Sequence, residues 1–242
     1  MKNMMDYVQE FGKDSFDERP FSEIDALVLT ELGYSPLEEI VSSDMSGKEF
    51  STVEEIAHHM GENAERLLRD NPMMITQERV DLTQEIGKAK RYQSLKFFGM
   101  KSEVDSDTTK QFAAFTVEIK PNVRIVIYRG TDETLIGWKE DFMMSFSVIP
   151  AQKFALDFLK QVISRHPNTD FIVGGHSKGG NLAIYSCAMC DEIFRDRITA
   201  IYNNDGPDLC DEVINADIMN TIKDRIIKIV PDFCVVGMIF NN

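Results

Sequence analysis

A chain of 242 residues with 43% apolar and 27% charged residues has the composition of a globular protein large enough for one substantial core. Its net charge of −14 at pH 7 argues against a partner such as nucleic acid or an anionic membrane, because phosphate recognition needs Lys and Arg in excess. No run approaches the roughly eighteen apolar residues that span a bilayer, and residues 1–20 turn acidic too early for a signal peptide, so a cytoplasmic protein without stable membrane insertion is expected.

Residues 1–92 read as a helical N-terminal segment. Ser22-Glu23-Ile24-Asp25 opens a pattern that puts Ile24, Leu27, Val28 and Leu32 on one face and stops at Gly33, with Pro36 soon after. Ser51-Thr52-Val53-Glu54 resembles a capping box ahead of Ile56, Met60, Ala64, Leu67 and Leu68, and Asn71-Pro72 breaks that helix. A third helical pattern runs from about Thr76 to Tyr92. These helices are expected to pack as a layer or cap on a sheet built from the later residues, as a unit of their own or within one continuous domain with residues 93–242.

The character changes near Gln111. Residues 112–119 and 123–128 read as two strands around a Pro121-Asn122 turn, a hairpin. Strands and helices then alternate: a helix over residues 152–162 ending at Pro167, a strand at 171–173, a helix after it, a strand at 198–203, a helix around 211–222 and a strand at 225–230. Such alternation predicts an α/β fold, a mostly parallel sheet flanked by helices. Ligands of such sheets bind beyond the carboxyl ends of the strands. Cys187 and Cys190 have C-x-x-C spacing but fall inside a helical pattern, so core positions are expected rather than a redox motif. No His/Cys cluster has zinc spacing, and neither a metal nor a cofactor is expected.

One stretch carries chemistry. Phe171-Ile172-Val173 leads into Gly174-Gly175-His176-Ser177-Lys178-Gly179, followed by an apolar helical pattern. Strand, sharp turn and helix around G-x-S-x-G is the context of a nucleophile elbow, in which Gly175 and Gly179 let strand and helix approach closely while Ser177 is presented above the sheet. A serine so placed needs a base to take its proton and amide donors for the developing oxyanion. The amide of Lys178 is one candidate donor, and the loop after the 123–127 strand, Tyr128-Arg129-Gly130-Thr131-Asp132, is the candidate source of the second.

With YRGTD, then Trp138 and Asp141, then GGHSKGGNLA, the sequence resembles the fungal-type class 3 lipases. It is more similar still to an uncharacterised bacterial branch of these lipase-like α/β-hydrolases, through residues 21–34, the QFAAFT and GWKEDF segments, and the DGP and VVGM segments near the end. The resemblance implies an α/β-hydrolase fold and a serine hydrolase acting on a small-molecule acyl or lipid ester. It implies Ser177 as nucleophile, with Thr131 and Lys178 forming the oxyanion hole. Family order puts an acid after the nucleophile, which selects Asp232 just past the 225–230 strand, with Asp205 and Asp208 as competitors. The same order puts a histidine last, and none follows Asp232. The four histidines are His58, His59, His166 and His176. The expectation is a chain lacking the relatives' C-terminal strand and histidine, or one that has recruited His58 or His59. The alternative function is a hydrolase-fold protein that binds an acyl ligand without turnover. An ammonium at Lys178 suggests a preference for anionic substrates, and residues 137–150 are where an apolar lid or a core helix would sit.

Overall fold

The computed structural model describes residues 3–105, 110–130, 148–209 and 213–230. Seven strands form one sheet in chain order: β1 (Ser51–Thr52), β2 (Lys96–Asp105), β3 (Lys110–Lys120), β4 (Val123–Tyr128), β5 (Asp170–His176), β6 (Ile198–Asn204) and β7 (Ile226–Ile229). The pairings from β1 to β4 are antiparallel and those from β4 to β7 are parallel, so β2 and β4 to β7 run in one direction and the sheet is mostly parallel.

The pleat explains the layers. Successive side chains of a strand point to opposite faces. On β4, Ile125 and Ile127 join a core with Val28, Leu29, Leu32, Ile56 and Ile86, whereas Val126 and Tyr128 join a second core with Phe158, Leu159, Leu182 and Ala183. The first core is covered by α1 (Met4–Phe11), α2 (Glu23–Leu32), α3 (Val53–Glu62) and α5 (Gln77–Lys88), with α4 (Ala64–Asp70) beside them. The second is covered by α6 (Pro150–Arg165) and α7 (Lys178–Met189), with the short α8 (Glu192–Arg195) and α9 (Ala216–Asn220) near them. The sheet is thus the middle of three layers. This sheet, flanked by helices on both faces and carrying a sharp strand–serine–helix turn at β5, is an α/β-hydrolase fold.

Several local expectations shift. The strand β2 precedes the change of character read at Gln111. Its period-two signal is hidden because Phe97 and Phe98 are both buried and Gly99, at φ +64°, sits where the register with β3 slips between Phe98 and Lys101. The helix α2 buries Val28 and Leu32 as expected, but also Asp25, Ala26, Leu29 and Thr30, while Ile24 and Leu27 are half-buried. Only Glu23 is exposed, so the helix is covered on nearly all sides. The capping box before α3 uses Thr52 and Glu55, one residue later than expected, and Asn63 divides α3 from α4. The helix after Thr76 stops at Lys88 and leaves Tyr92 in a turn.

Parallel register aligns four strand ends. Tyr128 pairs with Gly175, Gly175 with Asn203, His176 with Asn204, and Asn204 with Ile229. Residues Arg129–Gly130, Ser177, Asp205 and Val230 therefore leave the sheet along one edge.

Candidate active site

At that edge β5 turns into α7 through Ser177, whose φ of 53° and ψ of −126° are outside the regions a side-chain-bearing residue ordinarily adopts. Such a conformation costs on the order of 1–3 kcal/mol and persists only where its surroundings dictate it. They do so here. The Ser177 amide donates to Asn204 O at 2.9 Å, and the Gly180 amide donates to Ser177 O at 2.9 Å. A Cβ at Gly179 would overlap the Tyr128 carbonyl, and one at Gly175 would lie 2.6 Å from the same oxygen. Both glycines are thus required by the close passage of α7 over β4 and β5. The Ser177 side chain makes no capping bond to α7 and is half-buried, so its hydroxyl is not spent on the helix it begins.

The amide of Lys178 opens a twelve-residue helix, whose dipole favours negative charge at this end. Lys178 itself is buried, 1% exposed. Across from the elbow, the loop after β4 is tied down by the Arg129 amide to Ala113 O, 2.9 Å, and by the Arg129 guanidinium to Glu38, 2.6 Å. Gly130 then lies against the elbow: a Cβ on it would stand 3.4 Å from Ser177 Cβ. The candidate nucleophile and the loop expected to supply an oxyanion donor are thereby brought together. Thr131 itself, Trp138, Asp141 and residues 137–147 lie outside the described residues.

The loop after β6 underlies the elbow. Asn203 closes it by accepting from the Gly206 amide at 2.8 Å and donating to Gly206 O at 3.3 Å. Asn181, on α7, donates to Pro207 O at 3.2 Å and accepts from Gln152 at 2.9 Å, and Gln152 in turn accepts from the Ile149 amide at 3.0 Å. These three amide side chains are fully buried, and together they join the starts of α6 and α7 to the Asp205–Asp208 turn. Of the carboxylates considered, Asp205 has φ +56° and donates its amide to Ile229 O at 2.7 Å, and Asp208 is paired with Lys228 at 2.9 Å. Asp232 lies outside the described residues.

Each histidine has its own partner. His176 Nδ1 is 2.8 Å from the Tyr34 hydroxyl, and burial pushes its pKa below the ordinary value against the pull of Glu31 and Asp205. His166 Nε2 is 2.9 Å from Met45 O and precedes the amino end of β5, the opposite end of that strand from Ser177. His59 pairs with Glu39 at 2.9 Å and His58 with Glu62 at 3.2 Å, both on the N-terminal layer.

Sequence reasoning passed over Tyr34, Gln152, Asn181 and Asn203. The available signal was polarity out of place: Asn181 and Gln152 interrupt apolar helical faces, and Asn203-Asn204 ends a strand of apolar residues. Cys187, within α7, and Cys190, at its C-cap, are both core residues as expected, and burial raises the pKa of both thiols.

No helix among the described residues is long and apolar enough to cross a membrane. No curated protein matches the chain. Among solved structures, a fungal lipase in a lipase–inhibitor complex, described as a model for interfacial activation in lipases, aligns with 72% of this chain and 70% of its own, at 14% identity and a TM-score of 0.40. Residues 86–242, more than half of the sequence, match the Mbeg1-like family, and the chain belongs to that family.

Proposed function

We propose that the protein is a serine hydrolase of the lipase or esterase type, cleaving a carboxylic ester of an acyl or lipid substrate through an acyl-serine intermediate. The observation that carries this reading is the strained Ser177 at the β5–α7 turn, held by main-chain bonds and packed glycines, with its hydroxyl free of the helix. In this reading Ser177 Oγ attacks the ester carbonyl and gives its proton to a base. The Lys178 amide and Thr131 hold the oxyanion, the alcohol leaves with the proton, and water then releases the acid from the enzyme. Asp232, three residues beyond the end of β7 at Ile229, is the proposed acid that orients the base.

A fluorophosphonate probe tests the reading directly, since it reacts with an activated serine. Labelling of the wild type that disappears in Ser177→Ala is expected; an unlabelled wild type would exclude hydrolysis. The second reading is an acyl-binding protein without turnover. Under that reading the probe leaves Ser177 unmodified while a fatty acid still raises the melting temperature.

A further inference from the structure

Tyr34 lies in the turn that ends α2 and takes no chemical step in the proposed hydrolysis. It is 4% exposed, and its hydroxyl lies between two pieces of the site. On one side is Nδ1 of His176, the residue before the candidate nucleophile, at 2.8 Å, with the two rings edge to face. On the other is Gly130. A Cβ on Gly130 would overlap the Tyr34 hydroxyl, lie 2.6 Å from His176 O and reach Ser177 Cβ at 3.4 Å. The phenol, the loop after β4 and the elbow are therefore in mutual contact around one glycine. The ring is held from behind as well. The Arg79 guanidinium lies 4.3 Å from its centre and is fixed by Glu31 at 2.5 Å.

We propose that Tyr34 is a positioning residue for this site: its hydroxyl, anchored on His176, fixes Gly130, where the loop after β4 begins, against Ser177. The inference rests on the serine-hydrolase reading. Packing alone does not account for the hydroxyl, because a phenylalanine fills the same volume, and a buried hydroxyl is retained without cost only when it is bonded. Burial raises the Tyr34 pKa and lowers that of His176, so a protonated phenol and a neutral imidazole face each other at neutral pH. Oxyanion catalysis is sensitive to such placement, since a displacement of about 1 Å can cost on the order of a hundredfold in rate.

The test compares wild type and Tyr34→Phe by rate of fluorophosphonate labelling and by hydrolysis of a short-chain p-nitrophenyl ester. The expected result is labelling slowed roughly tenfold or more, with kcat lowered by a similar factor and KM within about twofold, because acyl contacts are untouched. A purely structural role would lower the melting temperature and leave labelling and kcat at wild-type values, and that result overturns the proposal. If Tyr34→Phe does not fold, His176→Leu, which removes the anchor and keeps the phenol, must slow labelling; an unchanged rate overturns the proposal equally. A wild type that is not labelled at all refutes the hydrolase reading itself, which separates the two failures.

Discussion

Replacing Arg91 by Met removes the charge that neutralises Asp25 at the centre of the N-terminal layer. Both side chains are fully buried. Arg91 donates through Nε to Asp25 Oδ1 at 2.7 Å and through Nη2 to Oδ2 at 2.6 Å. The carboxylate also accepts from the Tyr92 hydroxyl at 2.6 Å and from the Ser22 amide at 2.8 Å. The rest of the guanidinium donates to the carbonyls of Asp14, Ser15, Arg19 and Pro20, which ties the 12–21 connection onto α2. With Met in place the carboxylate keeps only neutral donors, in a site closed to water. Breaking a buried pair from one side costs about 3–5 kcal/mol. At about 2–4 °C per kcal/mol for a chain of this size, the melting temperature should fall by roughly 6–20 °C. The assay is thermal unfolding followed by circular dichroism, with Asp25→Leu and the double variant alongside. Removing both charges leaves none buried and unpaired, so the double variant should melt above Arg91→Met. A single variant within about 2 °C of wild type, or a double variant that loses the sum of both singles, would show that the pair is not coupled and refute the reasoning.

Two further outcomes rest on the same packing. Gly179→Ala should destabilise even though alanine is the better helix former by about 1 kcal/mol, because the new methyl meets main-chain atoms of Tyr128 and Arg129; overpacking of this kind costs about 1–3 kcal/mol, and a melting temperature at or above wild type would contradict the close approach of α7 to β4. The second outcome concerns pH. Burial lowers the pKa of His176, which faces Tyr34, Glu31, Asp205 and Arg79, and of His166, which faces Met45 O, Arg124, Glu118 and Arg197. The unfolded chain takes up these protons near pH 6.5 and the folded chain only below it, so this contribution to stability is complete above about pH 6.5 and declines as the pH falls. Melting curves from pH 7 to pH 5 should drop more steeply for wild type than for the His166→Leu/His176→Leu double variant, and equal slopes would refute it.

The elbow was legible because its chemistry is local. Glycines at fixed distances from a serine, between an apolar strand and an apolar helix, state a backbone geometry within nine residues, and Ser177 adopts it. The parallel half of the sheet was legible for a similar reason, since Val126, Val173 and Ile201 sit in strands whose apolar runs are bounded by turns. The strand β2 was hidden by its own bulge, as Gly99 lets two consecutive phenylalanines be buried on a strand that should alternate. The role of Asp25 is hidden in another way. A charged residue in the first turn of a helix reads as a solvated cap, and it does cap α2, yet it is also the buried acceptor of an arginine 66 residues away. No local pattern encodes a partner at that distance.

Tyr34 shows what this means for the site. Ser177, His176 and Gly130 belong to strand ends that parallel register brings together, and the sequence motifs mark two of those ends. The third contact comes from the opposite layer, 142 residues before His176, and only the packing of α2 on the sheet delivers it. The Asp25–Arg91 pair bears on that packing because it fastens α2, and the connection before it, to the turn after α5. The Arg79–Glu31 pair fastens the carboxyl end of α2 to α5, with Arg79 over the Tyr34 ring. The N-terminal layer thus reaches the candidate nucleophile through one hydroxyl, while ion pairs at both ends of α2 hold that hydroxyl in place. Loss of the pair at the far end should therefore lower stability first and affect Ser177 only as α2 loosens, whereas loss of the Tyr34 hydroxyl should affect Ser177 with the layer intact. These two signatures, a lower melting temperature in one case and a lower kcat in the other, separate support of the fold from positioning of the nucleophile.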